Sequence, residues 1–329
     1  MLNSPEVEPA SMGTVPESTL EIVSRRVRDA LVALGLFEAR PLPFVRGADT
    51  GFVRVANPIS ENEAYLRREL LDTLARRAEY NLARMQRDVR LFEIGSVFLP
   101  AADTLPVEEL RAALIVMGHR RPPHWTEPRP PDFDEWDAKG LAEHMAHSAY
   151  PALAVSLESS DEPEWLWSIV VEGARRGGVR RVALDAPVWA APAFGVELTL
   201  LTVPSGFVAQ PGSARYVEEP MPDAAHHVQY RALPDTPAVE FDLALIVPND
   251  MPAARVEQVI RASSGELLEQ LTLFDEYRGN TVPNGFRSLA WRLTFRHPER
   301  TLRDKEVAGR REKLLRTLEG ELGVRQRTT

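Results

Sequence analysis

The 329-residue chain contains no cysteine, which excludes disulfides, thiolate metal sites and cysteine nucleophiles. It has no run approaching the ~20 apolar residues that a membrane-spanning helix needs. Its first residues, with Glu6, Glu8 and several prolines, have neither the basic start nor the apolar core of a signal peptide. Together these absences point to a soluble, cytoplasmic chain with no membrane partner. There is no Gly-x-x-x-x-Gly-Lys-Ser/Thr phosphate loop. His144 and His147 are spaced to share a helix face, but no third ligand stands at helical spacing, so no metal is expected. His226 and His227 lie in a Pro- and Gly-rich stretch and read as solvated, and Gly177-Gly178 after Arg175-Arg176 reads as a turn. Asp132 and Asp134 sit in a Pro-rich loop, where solvated or capping roles suit them better than acid–base work.

What is present is unevenly distributed. The formal net charge is −9, which argues against a general nucleic-acid coat. From Arg278 to the end, however, thirteen Lys and Arg meet six Asp and Glu, a local +7 that leaves −16 for the rest. A basic end on an acidic body fits local contact with an RNA backbone, although a solvated helix face rich in Arg and Lys explains the charge equally well.

The length suffices for two domains with cores of their own. Residues 1–17 read as a polar arm. Ser18-x-x-Glu21 has the form of a capping box, opening a helix with Leu20, Val23, Val27, Leu31 and Leu34 on one face and Gly35 at its end. A second helix carries Leu66, Leu70, Leu71, Leu74, Ala78 and Leu82 at helical spacing. Its other face bears Arg67, Arg68, Arg76, Arg77 and Arg84 and reads as a solvated basic face. Val89 to Phe98 is a strand with Gly95 as a bend or bulge, and Leu110, Ala112, Leu114 and Val116 alternate in another. A helix over Asp137 to His147 and strands near Ser168–Glu172, Val179–Leu184 and Gly195–Val203 complete a domain over 18–203. A linker over 204–235, rich in Pro, Gly, Ala and Asp, follows.

The last part, 236–329, is the most sharply patterned. Val239, Phe241, Leu243, Leu245 and Val247 alternate, as do Leu289, Trp291, Leu293 and Phe295. Pro252 suits a first helical position before Val256, Val259 and Ile260. Thr301 stands three residues before Asp304 at a capping-box-like start for the stripe Val307, Leu314, Leu315, Leu318 and Leu322. Val324 to Arg327 supplies a possible final strand, giving the order strand, helix, strand, strand, helix, strand of a ferredoxin-like βαββαβ unit.

Phe274-Asp275-x-Tyr277-Arg278-Gly279, the strand containing Ser288, Phe295-Arg296-x-Pro298-x-Arg300-Thr301-Leu302 and Asp304-x-Glu306-Val307 resemble the ferredoxin-fold anticodon-binding domain that closes the β subunits of bacterial phenylalanyl-tRNA synthetases. One departure is Phe241, where the family usually carries Arg before the Asp of its first strand. Gly35-Leu36-Phe37-Glu38-Ala39, Asn57-Pro58-Ile59-Ser60 with Leu66-Arg67, Phe92-Glu93-Ile94-Gly95, Trp125, Asp132-Phe133 and Asp137-x-Lys139-Gly140 resemble the synthetase-like core of the same subunits. The resemblance weakens between about 150 and 215. It implies an α+β protein: a class II synthetase-like antiparallel sheet with flanking helices, followed by the ferredoxin-like domain. The family's β subunits are longer and carry oligonucleotide-binding-like, editing and helical domains upstream.

The resemblance also implies roles. The chain would dock a catalytic α subunit in an α2β2 heterotetramer and hold the anticodon of tRNA(Phe). Tyr277 would stack on the first anticodon base, while Asp275 and Ser288 hydrogen-bond it; Arg278, Arg292 and Arg296 would meet phosphates. ATP and Mg are expected on the α subunit, with no cofactor on this chain. A free-standing, non-catalytic RNA-binding or scaffolding paralogue is the alternative reading.

Two points bear on these roles. Adenylate-forming class II sites place an Arg two residues before the Glu of their second signature strand; here that residue is Leu91, and Arg90 points to the opposite face. No Arg stands near Phe194-Gly195-Val196-Glu197 for the third motif, so this chain should be catalytically silent. In addition, strict alternation puts Asp275 and Tyr277 on the core side with Leu271 and Leu273. A bulge or strand end near Phe274 must turn them outward, or Tyr277 is a core residue. Limited proteolysis is expected to cut between Pro204 and Pro237 and release a folded fragment starting near residue 236, a size at which domains often fold alone. First cleavage inside residues 268–296 would contradict the two-domain reading.

Overall fold

Helical and strand periodicities alternate along the first part of the chain, and each apolar stripe finds a sheet face. In a computed structural model, described over residues 19–101, 105–203, 234–279 and 281–327, the chain divides into two compact units, Met1–His227 and Val228–Thr329. Ser18, the arm and His226-His227 lie outside the described residues, as does the linker except for residues 234 and 235.

The first unit runs α1 (Thr19–Ala33), β1 (Phe37–Glu38), β2 (Phe44–Val45), β3 (Val53–Arg54), β4 (Tyr65–Leu66), α2 (Leu70–Leu82), β5 (Val89–Leu99), β6 (Val107–Met117), α3 (Glu135–Ala149), β7 (Val155–Ser159), β8 (Trp167–Val171), β9 (Ala174–Val182) and β10 (Ala193–Val203). Seven strands form one sheet in the order β1-β5-β6-β10-β9-β8-β7; β1 runs parallel to β5 and every other pair is antiparallel. Val23, Val27 and Leu31 of α1 and Ala138, Ala142 and Met145 of α3 are buried with Phe92, Leu114 and Val196 on one side. Leu70, Leu74 and Ala78 of α2 pack with Val89, Val97 and Ile115 on the other. The helix α3 is closed at its start by Asp134, which accepts from the Asp137 N–H while Asp137 accepts from its own. The small sheet β2-β4-β3 and strand β7 were not foreseen; two-residue strands carry no periodicity to read.

Two glycine expectations are corrected. Gly95 is not a bulge, because the β5–β6 register runs unbroken past Gly95 opposite Arg111. It makes room instead: a Cβ there would lie 2.5 Å from the Arg67 guanidinium. Gly177-Gly178 is not a turn but the middle of β9, whose tight turn lies at Glu172 and Gly173, both at positive φ. A Cβ on Gly177 would meet the Glu197 carbonyl at 2.0 Å, so a neighbouring backbone's close approach required the residue.

The second unit runs β11 (Val239–Pro248), α4 (Ala253–Ser264), β12 (Leu268–Tyr277), β13 (Phe286–Phe295), α5 (Asp304–Leu322) and β14 (Arg325–Gln326). Its four strands are antiparallel in the order β12-β13-β11-β14, the ferredoxin-like arrangement. Leu243, Leu245, Trp291, Leu293 and Phe295 are buried against Val256 and Ile260 of α4 and Leu314 and Leu318 of α5. Among the described residues, no helix of the unit lies on the other sheet face. Phe241, where the family has Arg, stacks on Phe295 with nearly parallel rings at 5.6 Å. Pro252 stands at the N-cap of α4, one place before the expected position. The start of α5 is also corrected. The N-cap is Arg303 rather than Thr301, and Glu306 secures it by accepting from the Arg303 N–H at 3.0 Å and pairing with Arg300 at 2.8 Å. Those contacts, the Arg300 guanidinium foremost, hold the Glu306 carboxyl down to about 2.

Arg67 and Glu93 form a buried pair at 2.7 Å beneath α2, each side chain 4% exposed. The Arg67 guanidinium also donates to Thr73 Oγ1 at 3.1 Å and the Ser96 carbonyl at 3.0 Å. Burial pushes the Glu93 carboxyl up, and Arg67 opposes that shift. Removing one partner strands a charge, so Arg67→Ala should lower unfolding free energy by about 3–5 kcal/mol in a denaturant titration. Adding Glu93→Gln should recover part of the loss, whereas additive losses would deny the coupling.

Candidate nucleic-acid interface

The helix-free face of the second unit is built on a mismatch between two neighbouring strands. Leu271 and Leu273 of β12 sit opposite Leu293 and Trp291 of β13, on the helix-bearing side. The register then shifts: Asp275, not Phe274, is paired with Ala290, and Tyr277 is paired with Ser288. Two residues of β12 thus oppose one of β13, a bulge at Phe274. Directly paired residues share a face, and Ser288 and Ala290 alternate with the buried Leu289 and Trp291. Asp275 and Tyr277 therefore stand on the helix-free face. The bulge is the feature that strict alternation required.

Tyr277 is 39% exposed and Asp275 is exposed. Ser288 differs: it is buried, and its Oγ has no hydrogen-bond partner among the described residues. The Tyr277 ring lies against Gly279, where a Cβ would meet the phenol oxygen at 2.2 Å. Its π-face takes the Arg327 guanidinium at 5.0 Å from the ring centroid. Arg327 starts at the opposite sheet edge, its N–H donating to the Ala244 carbonyl of β11. Between the two residues, Ala244 and Ala290 are directly paired, so small side chains floor the span. Sequence reasoning missed Arg327, because nothing in a four-residue basic tail announces a reach across the sheet.

The arginines assigned to phosphate do not gather at this spot. Arg278 pairs with Glu276 at 2.7 Å, in the row of buried Leu289 on the helix-bearing side. Arg296 pairs with Glu269 at 2.8 Å, eight residues along the chain from Ser288, roughly 27 Å of extended strand. Arg292 is on the correct face, bound through two nitrogens to Asp242 at 2.8 and 2.9 Å, which holds the Asp242 carboxyl below its usual range. Arg327 makes no ion pair among the described residues. The unit as a whole is nearly neutral: sixteen Lys and Arg meet fifteen Asp and Glu over Val228–Thr329. The basic end is thus a property of the last segment, offset by acids in β11, α4 and β12.

In the first unit, the sheet face that bears Glu93 is filled. Leu91 packs with the α2 core, while Arg90 lies on the other face, near the Phe133 ring, donating to the His119 carbonyl. Glu197 is buried, accepts from the Leu70 and Leu71 N–H groups at the start of α2, both at 3.2 Å, and pairs with Arg111 at 2.8 Å. Burial pushes its carboxyl up and Arg111 opposes the shift. These carboxylates cap a helix and neutralise arginines. Among the described residues no group of three His, Asp or Glu side chains is placed to hold a metal ion, and His144 and His147 are exposed.

These features define an α+β protein of two units: a seven-stranded sheet with helices on both faces, and a ferredoxin-like unit whose two helices lie on one face of its sheet. Residues 5–174 match the family described as the phenylalanyl tRNA synthetase beta chain CLM domain, and residues 234–327 match the ferredoxin-fold anticodon binding domain. The chain belongs to the phenylalanyl-tRNA synthetase beta chain family. It is 36% identical over 281 residues to a phenylalanine–tRNA ligase beta subunit of Moorella thermoacetica, covering 83% of this chain and 32% of that one. With the corresponding subunit of Shouchella clausii the identity is 31% over 338 residues, covering 97% and 40%. The chain therefore spans about a third of the length of these relatives. Among solved structures, a pyrrolysyl tRNA synthetase of Desulfitobacterium hafniense overlaps at a TM-score of 0.38 and 15% identity, covering 55% of this chain and 66% of that one, too loosely to argue from.

The contact between Gly279 and Tyr277 can be tested directly. Gly279→Ala should swing the half-exposed ring away, shifting Tyr277 side-chain NMR signals while stability stays within about 0.5 kcal/mol. Unmoved Tyr277 signals would deny the close approach.

Proposed function

We propose that this chain acts as a non-catalytic portion of a phenylalanine–tRNA ligase β subunit. It docks the catalytic α subunit and binds the anticodon of tRNA(Phe) while phenylalanyl-tRNA is made, within an α2β2 assembly in the cytoplasm. ATP and Mg belong to the α subunit in this reading. No described helix is long and apolar enough to cross a membrane. The observation that carries the proposal is the bulge at Phe274, which gives an exposed aromatic ring and a carboxylate to the helix-free face of a domain that matches the anticodon-binding family.

The chemistry follows from the side chains. The Tyr277 ring, with the Arg327 guanidinium over one face, offers its other face to an unstacked base. Asp275 accepts from a guanine N–H edge, and the Ser288 hydroxyl, which has no partner among the described residues, either donates or accepts. Reaching Ser288 requires a shift of the side chains that bury it. Phosphate contacts by Arg278, Arg292 and Arg296 remain part of the proposal, each made by a guanidinium that already shares a carboxylate.

The test compares Tyr277→Phe with Tyr277→Ala in the complex co-expressed with the α subunit. Stacking survives in Phe, so only Ala should weaken tRNA(Phe) binding, by ~1–3 kcal/mol, with thermal stability nearly unchanged. If Tyr277→Ala unfolds the second unit while the surviving protein keeps its tRNA affinity, Tyr277 is structural and the anticodon assignment fails. A chain that remains monomeric under co-expression removes the docking role.

A further inference from the structure

Phe274 is unusually placed for an aromatic residue. It is a large apolar side chain, 49% exposed, at the bulge of an edge strand. Its ring shares the helix-free face with Thr272, which pairs with Arg292, and the Arg292 guanidinium lies 5.1 Å from the ring centroid. Shielding the Arg292–Asp242 pair does not explain the ring, because those side chains remain 50% and 48% exposed. Asp242 grips Arg292 through two nitrogens and fixes the guanidinium beside the ring.

The bulge gives this ring a second consequence. Positions 274 and 277 differ by an odd number, so an unbroken strand would point them to opposite faces. The extra residue puts both rings on one face, with Asp275 between them, and each ring has its own arginine, Arg292 for Phe274 and Arg327 for Tyr277. By register, Phe274 lies between the rows of Trp291 and Ala290, and Tyr277 in the row of Ser288. The backbone positions that carry the two rings are thus two to three residues apart along β13, roughly 7–10 Å. That is two to three times the ~3.4 Å rise of stacked duplex bases, a spacing suited to neighbouring bases that have been pulled apart.

We propose that Phe274, backed by Arg292, is a second base-stacking platform, so that this face holds two neighbouring unpaired nucleobases of one RNA strand, one on Tyr277 and one on Phe274. The proposal rests on the reading of this face as RNA-binding. A ring stacks on any base, so Phe274 adds affinity and strand direction with little base preference, while Asp275 and Ser288 supply the hydrogen bonds beside Tyr277.

The test uses the full chain and an anticodon stem–loop RNA with 2-aminopurine placed at each loop position in turn. Wild type should alter the fluorescence at two neighbouring positions. Tyr277→Ala should abolish the change at one and Phe274→Ala at the other, each weakening binding by about tenfold or more, with Phe274→Trp close to wild type. An abasic nucleotide at the Phe274-dependent position should make Phe274→Ala silent. Phe274→Leu, which keeps an apolar side chain of similar bulk, should behave as Phe274→Ala with unchanged thermal unfolding, so the result survives if the Ala variant misfolds. If both Phe274→Ala and Phe274→Leu stay within twofold of wild type while Tyr277→Ala weakens binding, the second platform is wrong and the proposed function stands. If Phe274→Trp is as weak as Phe274→Leu, stacking is not the cause and the proposal falls. If the wild-type chain, folded, does not bind the stem–loop, the reading of the face as RNA-binding falls with it.

Discussion

One extra residue in β12 decides what the second unit offers to a partner. Side chains of a strand alternate, so the face of every residue after position 274 depends on the residue count between it and Leu273. Without the bulge, Asp275 and Tyr277 would continue the face of Leu271 and Leu273 and be lost from the helix-free face. With it, the first half of β12 serves the core and the second half serves the surface. The proposed base-binding face is therefore a product of register, and it needs no loop of its own. Rigidity follows, since Asp275 and Ser288 are held by ladder hydrogen bonds rather than by a mobile segment.

The first unit shows the opposite use of a sheet. One face of its seven-stranded sheet is covered by α2. Glu197 receives the first N–H groups of α2, and Arg67 reaches under the helix to Glu93 through the space that Gly95 leaves. Both glutamates are spent on holding α2 down. Their carboxyls are pushed up by burial and drawn back by arginines, a balance suited to a structural pair.

How much was legible in the sequence depends on the scale of the signal. The long elements were, because Val239 to Val247, Leu289 to Phe295 and the Leu70 to Leu82 stripe each repeat often enough to establish a period. The two-residue strands were not, because they hold no period. Gly95 and Gly177 were read as local punctuation, when each answers a neighbour distant in sequence: a guanidinium in one case and a carbonyl in the other. The bulge at Phe274 was legible only as a requirement, through the conflict between the family motif and strict alternation. Arg327 was invisible, since its ring contact exists only once β14 has joined the sheet beside β11. The terminal run of positive charge was legible but incomplete as an argument, because the acids that offset it come from strands folded alongside.

That neutrality bears on how the face would hold a nucleic acid. Affinity drawn from many unpaired cations releases counterions and falls steeply with salt. Here Arg278, Arg292 and Arg296 each share a carboxylate, and the unit carries a net of +1. Counterion release is a small resource for such a surface. The rings remain, at ~1–3 kcal/mol for each stacked base, together with hydrogen bonds from Asp275 and Ser288 that depend on the base presented. Under the proposed function, a face built in this way would discriminate among loops before it attracted RNA in general. The bulk electrostatic attraction for the rest of a large RNA would then come from surfaces outside the second unit.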